Sequence, residues 1–421
     1  MPLFRKLLLG WVGCAMLAAA ADFAIKDGDT IVFYGDSITD QRLYTSFTES
    51  YIVTRFPRMR VKFVHSGWGG DRVIGGGGGT METRIKRDVL AYRPTVITIM
   101  LGMNDGRYRA NDAETFGTFA SGYGEIVKHL KRSLPGVRIT VIEPSPYDDV
   151  TRPPTFEGGY NAVLVQYGGY LKELAKSDNL NVADLNTDVV EALRKANAAD
   201  PANAQKIIPD RVHPGPAGHL LMAEALLKAW NAPALVSEVE IDAPAGLASK
   251  AQGTAVSAVQ TTPKGVTWTQ TDNSLPMPVD WNDPLIKLAQ ASSDVVDALD
   301  QEPLRVKGLS AGAYSLGIDG LPVGNYSADQ FAAGINLATL PTPMLKQAMD
   351  VAKLTVDHNN VHFARWRTLQ VPLEKYNLTS LPATLTDLDE VENEIVAQQR
   401  AAAQPKPHRY EVSAVPIDTG K

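Results

Sequence analysis

From Thr30 to about Trp230, short β-rich runs alternate with helical patterns, and this alternation limits the folds that the chain can adopt. The runs are rich in Val, Ile or Phe, and several are continuously apolar, as strands covered on both faces are. Right-handed strand–helix–strand connections place such strands in a parallel sheet between layers of helices. We therefore predict an α/β fold with strands at Thr30–Tyr34, Arg60–His65, Thr95–Leu101, Val137–Glu143 and Asn181–Leu185.

One helix is predicted with particular clarity. Apolar side chains recur at helical spacing from about Asp112 to Leu134, and Pro135-Gly136 predict the end of the helix. Asn111 and Glu114 have the spacing of a capping box, in which each side chain accepts a hydrogen bond from the other residue's backbone N–H. We therefore expect Asn111 to cap this helix.

The N-terminus has the pattern of a secretory signal peptide. Arg5 and Lys6 precede an apolar run, which four alanines follow before Asp22. The run is too short to cross a membrane comfortably, so we expect cleavage near residue 21, no stable membrane insertion afterwards, and a secreted or periplasmic protein. An uncleaved anchor or a buried first helix is the alternative. Cys14 is the single cysteine, which excludes an internal disulfide and a thiolate zinc site, and cleavage would remove it.

The pattern changes after the α/β region, and the 421 residues divide into four predicted segments. These are a signal peptide at 1–21, an α/β catalytic domain at 22–232, a C-terminal mixed β/α accessory region at 233–403 and a tail at 404–421. Within the accessory region, alternation predicts strands near 236–241 and 266–270, and the glycine turns between 304 and 337 resemble a short antiparallel unit. Helices are predicted at about 342–357 and 385–403.

The charge of the chain argues against two classes of partner. The formal net charge is −6, whereas binding to nucleic acid requires a basic surface. Adhesion to an anionic membrane through a polybasic surface is disfavoured for the same reason. We therefore expect no nucleic-acid partner, and the sequence leaves the oligomeric state open.

The strongest chemical signal follows the first predicted strand, where the chain reads Gly35-Asp36-Ser37. Ligands bind at the carboxyl edge of an open parallel sheet, and Gly35 permits a tight exit from the strand there. Ser37 is thereby presented at the start of the next helix, where a serine serves either as a helix cap or as a nucleophile.

Three later segments supply the other groups that a serine nucleophile needs. The glycine turn Gly67–Gly70 and the segment Gly102-Met103-Asn104-Asp105 both follow predicted strands. Their backbone N–H groups and the Asn104 amide can stabilise the oxyanion that develops in acyl transfer. Asp210 precedes His213 by three residues, so its carboxylate can orient the imidazole while the other ring nitrogen takes the serine proton. Together these sites fill the roles of a serine hydrolase.

These four blocks, in this order, resemble those of the SGNH (GDSL-type) hydrolase superfamily over about residues 22–230. The resemblance implies a flavodoxin-like three-layer α/β/α sandwich and the need for no metal or organic cofactor. It also implies that Ser37 is the nucleophile, His213 the base and Asp210 its support. The oxyanion hole would consist of the N–H groups of Ser37 and Gly70 and the Asn104 amide.

Two features of this site stay open. Gly67 or Gly69 can take the place of Gly70 as the second oxyanion donor, although the acidic residue after Gly70 matches a frequent feature of the family. Trp68 and Tyr108 stand next to the oxyanion residues. They are either substrate-binding residues that stack on a sugar ring or residues that pack the cleft wall.

Two other patterns resemble functional motifs without their required context. The run Gly308–Gly312 spells G-x-S-x-G around Ser310, but strand-like sequence follows it where a nucleophile elbow requires a helix, so we predict a hairpin turn. His358 and His362 are four residues apart without the His-Glu-x-x-His pattern, so we expect no metal site.

We therefore expect an exported serine esterase that hydrolyses short-chain esters, with acetyl as the first choice, through an acyl-enzyme intermediate. Its substrate would be a small-molecule or polysaccharide ester. The alternatives are a lipolytic esterase or lysophospholipase, and a catalytically inactive carbohydrate- or wall-binding protein on a hydrolase scaffold.

Overall fold

The computed structural model describes residues 22–415, so the predicted signal peptide and residues 416–421 lie outside the described chain. In the α/β region the strands are β1 (Thr30–Gly35), β2 (Lys62–Gly67), β3 (Gly75–Gly76), β4 (Gly79–Thr80), β5 (Val96–Met100), β6 (Arg138–Ile142) and β7 (Asn181–Ala183). The helices are α1 (Ser37–Asp40), α2 (Leu43–Arg55), α3 (Met81–Asp88), α4 (Ala113–Ser133), α5 (Tyr160–Asp178), α6 (Thr187–Ala199), α7 (Pro201–Ala204) and α8 (Pro216–Ala229), with a 3-10 turn at Leu90–Tyr92.

Five of these strands form one parallel sheet in the order β2-β1-β5-β6-β7. With the short β3–β4 hairpin set aside, this is the 2-1-3-4-5 order of flavodoxin-like doubly wound sheets. Every residue of β5 is buried, as expected for a central strand covered by helices. The predicted α/β fold is confirmed, and the boundaries of the predicted strands differ from the observed ones by at most two residues.

Helix α4 forms where it was predicted, but a different residue caps it. The carboxylate of Asp112 accepts the backbone N–H of Thr115 at 2.8 Å. The Asn111 amide instead donates to the side-chain oxygen of Gln166 at 2.7 Å. The prediction of Asn111 as the cap is therefore wrong by one residue, because a carboxylate at the next position makes the bond.

The C-terminal half contains further strands and helices. The strands are β8 (Glu238–Asp242), β9 (Leu247–Gln252), β10 (Thr254–Thr262), β11 (Gly265–Asp272), β12 (Pro303–Lys307), β13 (Ala313–Ile318), β14 (Leu321–Ser327), β15 (Ile335–Asn336) and β16 (His408–Ala414). The helices are α9 (Pro284–Ser292), α10 (Val295–Leu299), α11 (Ala328–Ala333), α12 (Pro343–Phe363), the π-helical stretch Ala364–Gln370, α13 (Val371–Leu373), a 3-10 turn at Glu374–Tyr376 and α14 (Leu381–Ala402). Within residues 22–415, none of the helices combines the length and the apolar character needed to cross a membrane.

Strand β16 contradicts the predicted tail. The larger C-terminal sheet has the order β10-β11-β16-β13-β14, and β16 pairs antiparallel with both of its neighbours. Tyr410 and Val412 are fully buried, whereas Arg409 and Glu411 are exposed. The prediction of a tail from residue 404 is therefore wrong for this segment, whose alternation of buried and exposed residues is typical of a strand with one face in a core.

The segment 304–337, predicted as one antiparallel unit, is divided between two sheets. Strands β13 and β14 do form an antiparallel hairpin. Strand β12 instead pairs in parallel with β8 in the smaller sheet, whose order is β15-β12-β8-β9. The prediction fails for β12 because the Gly308–Gly312 loop carries the chain from one sheet to the other.

The predicted accessory region 233–403 comprises two parts with different neighbours. Its strands surround a core of their own. Its helices α9, α10 and α12 place Ile286, Leu299 and Val351 in the same buried core as the parallel sheet. On α14, the Gln399 amide donates to Glu49 Oε1 on α2 at 2.9 Å, in a fully buried contact. The C-terminal helices are therefore packed on the α/β domain.

Candidate active site

Ser37 occupies the first position of α1, directly after β1. Gly35 ends that strand, and a Cβ at this position would overlap the Thr39 hydroxyl oxygen. The Asp36 carboxylate caps α1 by accepting the backbone N–H of Ile38 at 3.0 Å. The tight strand exit and the cap hold the Ser37 hydroxyl at the carboxyl edge of the sheet.

His213 reaches Ser37 from the loop that precedes α8. Its Nε2 lies 2.8 Å from Ser37 Oγ, and its Nδ1 lies 2.7 Å from Asp210 Oδ2. An ionised carboxylate only accepts hydrogen bonds, so the neutral ring carries its proton on Nδ1 and accepts the serine proton at Nε2. The structure thus brings the three predicted catalytic side chains into one hydrogen-bonded line.

Asp210 also fixes the loop that carries the histidine. Its Oδ1 accepts the backbone N–H groups of Val212 at 3.0 Å and His213 at 2.7 Å. Partial burial alone raises the pKa of Asp210, but the hydrogen bonds from His213 and Val212 outweigh burial and lower the pKa below its usual value. The side chains of His213 and Asp210 are 36% and 55% exposed, so an ionised carboxylate orients a base that lies at the protein surface.

The predicted oxyanion donors follow β1, β2 and β5. Among residues 22–415, the backbone N–H groups of Ser37 and Gly70 find no hydrogen-bond acceptor. The Asn104 amide is oriented by two bonds: its Nδ2 donates to the Asp71 carbonyl oxygen, and its Oδ1 accepts the Tyr108 hydroxyl, each at 3.0 Å. The second hydrogen of Asn104 Nδ2 is left for an oxyanion.

The structure distinguishes the three glycines that compete for the second donor position. Gly67 ends β2 against α1, where a Cβ would overlap the Asp40 backbone nitrogen. Gly69 lies beside the Asp40 carboxylate, whose Oδ2 would be 3.8 Å from a Cβ at this position. Gly70 has φ = +73°, in the left-handed region that favours glycine, and a Cβ there would meet nothing within 4 Å. This geometry favours Gly70 as the donor.

Comparison with known proteins identifies the domain that carries this geometry. The family model of GDSL-like lipases and acylhydrolases matches residues 33–221. This segment belongs to that family, within the SGNH hydrolase superfamily. An acetylxylan esterase of Geobacillus stearothermophilus is 24% identical to the chain over 228 residues, which cover 48% of this chain and 94% of that enzyme. The protein is therefore a carboxylic ester hydrolase of the GDSL type.

One solved structure resembles the chain beyond its GDSL domain. It is described as a gut microbial diltiazem-metabolizing enzyme, with 25% sequence identity and a TM-score of 0.81. The match covers 93% of this chain and 98% of the other. The combination of a GDSL domain with the C-terminal strands and helices therefore occurs in another enzyme.

Two buried carboxyl groups lie beside the catalytic residues of the GDSL domain. Burial raises the pKa of Asp36 to about 8 and the pKa of Asp105 to about 7. Asp105 accepts the backbone N–H of Val73 at 3.1 Å, so it braces the segment that follows Gly70. A protonated Asp36 adds no negative charge next to the oxyanion hole, which favours the developing oxyanion.

Sequence analysis missed Arg84, which is fully buried beneath the oxyanion loop, residues 67–71. Its Nε donates to Asp71 Oδ2 at 2.9 Å, and its Nη2 donates to the Ser66 carbonyl oxygen at 2.8 Å. It also forms a buried ion pair with Asp88. Arg84 thus connects the oxyanion loop to β2. Its sequence context, a helix crowded with charged residues, is typical of an exposed helix and gave no signal of this role.

The two candidate substrate-binding aromatic residues differ in exposure. Trp68 is only 9% exposed, and the guanidinium of Arg367 lies over its ring. Of the two roles left open for Trp68, this burial favours packing of the cleft wall. Tyr108 is 43% exposed, and its ring lies 5.0 Å from that of Tyr160. Its outer face stays a candidate for substrate contact.

The G-x-S-x-G run around Ser310 and the pair His358 and His362 take no part in this site. Ser310 lies in the loop between β12 and β13, where its carbonyl oxygen accepts the Tyr314 hydroxyl at 3.0 Å. His358 and His362 lie on α12, and both face Glu392 on α14. In the part of the chain that the structure describes, no cluster of three or more His, Cys, Asp or Glu side chains is arranged to hold a metal ion.

Replacement of Asn104 by alanine should reduce kcat about 10²- to 10³-fold, because one oxyanion donor is lost. The measurement is kcat for p-nitrophenyl acetate at saturating substrate. Tyr108→Phe serves as a graded control: it keeps the ring and the amide but removes one orienting hydrogen bond, so its effect should be smaller. An Asn104→Ala enzyme with unchanged kcat would remove the amide from the mechanism.

Proposed function

We propose that the protein is an exported serine esterase that removes short acyl groups, acetyl first, from carbohydrates through an acyl-enzyme intermediate. The observation that carries the proposal is the line from Ser37 Oγ to His213 and Asp210, with successive distances of 2.8 and 2.7 Å. A serine with a base at this distance, and a carboxylate behind the base, is equipped for nucleophilic attack on an ester.

The proposed reaction has two halves, and in each half His213 first takes a proton and then gives it up. Ser37 Oγ attacks the ester carbonyl carbon while His213 Nε2 takes its proton, and the N–H groups of the oxyanion hole bind the carbonyl oxygen as it gains charge. The imidazolium then gives that proton to the leaving alcohol as the C–O bond breaks. In the second half, His213 takes a proton from water as the water oxygen attacks the carbonyl carbon of the acyl-serine. The imidazolium then returns that proton to Ser37 Oγ as the bond between Oγ and the acyl carbon breaks, which releases the acid.

Two observations support a carbohydrate substrate with a short acyl group. The sequence relative from Geobacillus stearothermophilus is named an acetylxylan esterase, and the match of 228 residues covers 94% of that enzyme. In addition, the side chains of His213 and Asp210 are more than a third exposed, so the base can act on a group carried by a large polymer. A base at the surface imposes little restriction on the size of the leaving alcohol.

A substrate panel tests the proposal. Purified protein is assayed for acetate release from acetylated xylan and from diltiazem, and for hydrolysis of p-nitrophenyl esters of increasing chain length. We expect turnover of acetylated xylan and the highest kcat/KM among the p-nitrophenyl esters for acetate. Faster hydrolysis of long-chain esters would favour a lipolytic esterase, and the absence of turnover on every ester would favour a binding protein.

Export is a separate part of the proposal, supported by the sequence of residues 1–21 alone. The full chain, produced in a bacterial host, should be recovered outside the cytoplasm with Asp22 at or near its N-terminus. N-terminal sequencing of the recovered protein is the measurement. Recovery of an uncleaved chain from the cytoplasm would contradict export.

A further inference from the structure

The C-terminal region inserts two consecutive side chains beneath the oxyanion loop. Helix α12 continues into the π-helical stretch Ala364–Gln370, a rare conformation that is frequent at functional sites. Trp366 in this stretch is 1% exposed, and the Arg367 side chain is 22% exposed. Both contact residues of the GDSL domain.

Trp366 contacts the buried charges that support the oxyanion loop. Its Nε1–H donates to Asp88 Oδ1 at 2.6 Å, and its ring meets that of Trp68 edge to face at 5.8 Å. Asp88 is the ion-pair partner of Arg84, which itself binds Asp71 and the end of β2. Trp366 therefore belongs to the same network as the loop.

Arg367 contacts the loop directly. Its guanidinium carbon lies 3.1 Å from the centre of the Trp68 ring, and its Nη2 lies 3.8 Å from Asp40 Oδ2. A guanidinium that is partly shielded from water is attracted both to the face of an indole and to a nearby carboxylate. Asp40 is the last residue of α1, the helix that begins with Ser37.

Asp40 connects this arginine to the oxyanion hole. Its carboxylate stands beside Gly69, the residue before the favoured donor Gly70: a Cβ at Gly69 would lie 3.8 Å from Asp40 Oδ2. Burial raises the pKa of Asp40, and Arg367 is the cation that most strongly opposes this rise. Without Arg367 the Asp40 carboxylate and the Trp68 ring lose the cation that holds them on either side of this turn, so the direction of the Gly69–Gly70 backbone is less well fixed.

We propose that Arg367 is a positioning residue that the C-terminal region supplies to the GDSL domain. It holds Trp68 and Asp40 so that the Gly69–Gly70 backbone keeps the geometry of the oxyanion hole. This inference rests on the esterase function proposed above. It gives the C-terminal region a part in catalysis, although that region contains none of the predicted catalytic side chains.

The test compares three variants of the full chain with p-nitrophenyl acetate as substrate. Arg367→Ala should lower kcat about 10- to 100-fold, less than the loss of a whole oxyanion donor. KM should stay within about twofold, because the interaction that is weakened is made in the transition state. Arg367→Lys should lie between Arg367→Ala and the wild type, since lysine keeps the charge opposite Asp40 but loses the planar stacking on Trp68.

Arg365→Ala is the matched control in the same π-helical stretch. The Arg365 guanidinium pairs with Asp389 on α14, at 2.8 Å, and contacts no residue of the oxyanion loop. Its loss should lower the Tm but leave kcat per active site unchanged, where a serine-reactive phosphonate incubated to completion counts the active sites.

Two outcomes would overturn the inference. One is a kcat per active site within about twofold of the wild type in both Arg367 variants. This readout stays valid if Arg367→Ala folds poorly, because Arg367→Lys keeps a long cationic side chain at this position. The other is an equal loss in Arg365→Ala, which would indicate a purely structural effect. Absence of turnover by the wild-type protein would instead contradict the proposed function.

Discussion

Replacing Ser37 by alanine is expected to reduce kcat for p-nitrophenyl acetate by roughly 10⁵- to 10⁶-fold, because the hydroxyl is the attacking atom. The fold should persist. The Ser37 hydroxyl contacts His213, whereas the cap of α1 is the Asp36 carboxylate, which the substitution leaves in place. Alanine is also favourable in a helix. The measurement is kcat at saturating substrate, with the Tm as the check of folding.

Ser310→Ala is the matched control, because Ser310 stands in the G-x-S-x-G pattern that mimics a nucleophile elbow. This variant should have the wild-type kcat. A serine-reactive phosphonate should label the wild type and Ser310→Ala at Ser37 and should leave Ser37→Ala unlabelled. Turnover that persists in Ser37→Ala, or a label found on Ser310, would contradict the assignment of the nucleophile.

The parallel sheet was predictable because its constraints are local. A covered strand must be continuously apolar, and the chain must leave it through small or polar residues, so the strand ends at Gly35 and Gly102 are visible in the sequence. The order of the blocks then placed Ser37, Asn104 and His213 at one edge. The structure puts Ser37 and His213 in hydrogen-bond contact, as that reasoning requires.

The supporting network was not predictable, because its contacts join distant parts of the chain. Arg84 stands among charged residues on a short helix, and only the tertiary fold buries it against Asp71. Arg367 stands 299 positions after Trp68 (367 minus 68), and no periodicity relates the two residues. The residues next to an arginine in the sequence do not indicate whether its side chain is buried, so the burial of Arg84 and Arg367 becomes visible only in the structure.

The second half of the chain contains none of the catalytic blocks, and its structure was only partly predictable from the sequence. Its strand β16 was missed because seven residues after a long helix have too little context to distinguish a strand from a tail. Two of its helices, α12 and α14, were predicted near their observed positions, but α9, α10 and the docking of these helices on the GDSL domain were not. That docking brings Trp366 and Arg367 beneath the oxyanion loop. The structural match that spans both halves indicates that the combination of a GDSL domain with these C-terminal strands and helices is not confined to one chain.

The other large loss of activity is expected for His213→Ala, again roughly 10⁵- to 10⁶-fold in kcat, because Ser37 then has no base to take its proton. The His213 ring is partly exposed and bonds only Ser37 and Asp210, so its removal should change the Tm little. The double variant Ser37→Ala/His213→Ala should be no slower than either single variant, because the two groups act as one unit.

The matched control is His129→Ala, because His129 lies near the C-terminal end of α4, away from the carboxyl edge of the sheet. It should keep the wild-type kcat. Phosphonate labelling of Ser37 should be slowed in His213→Ala, since the same base activates the hydroxyl toward phosphorus. If instead the two losses multiplied in the double variant, Ser37 and His213 would act independently, and the 2.8 Å contact between them would have no catalytic meaning.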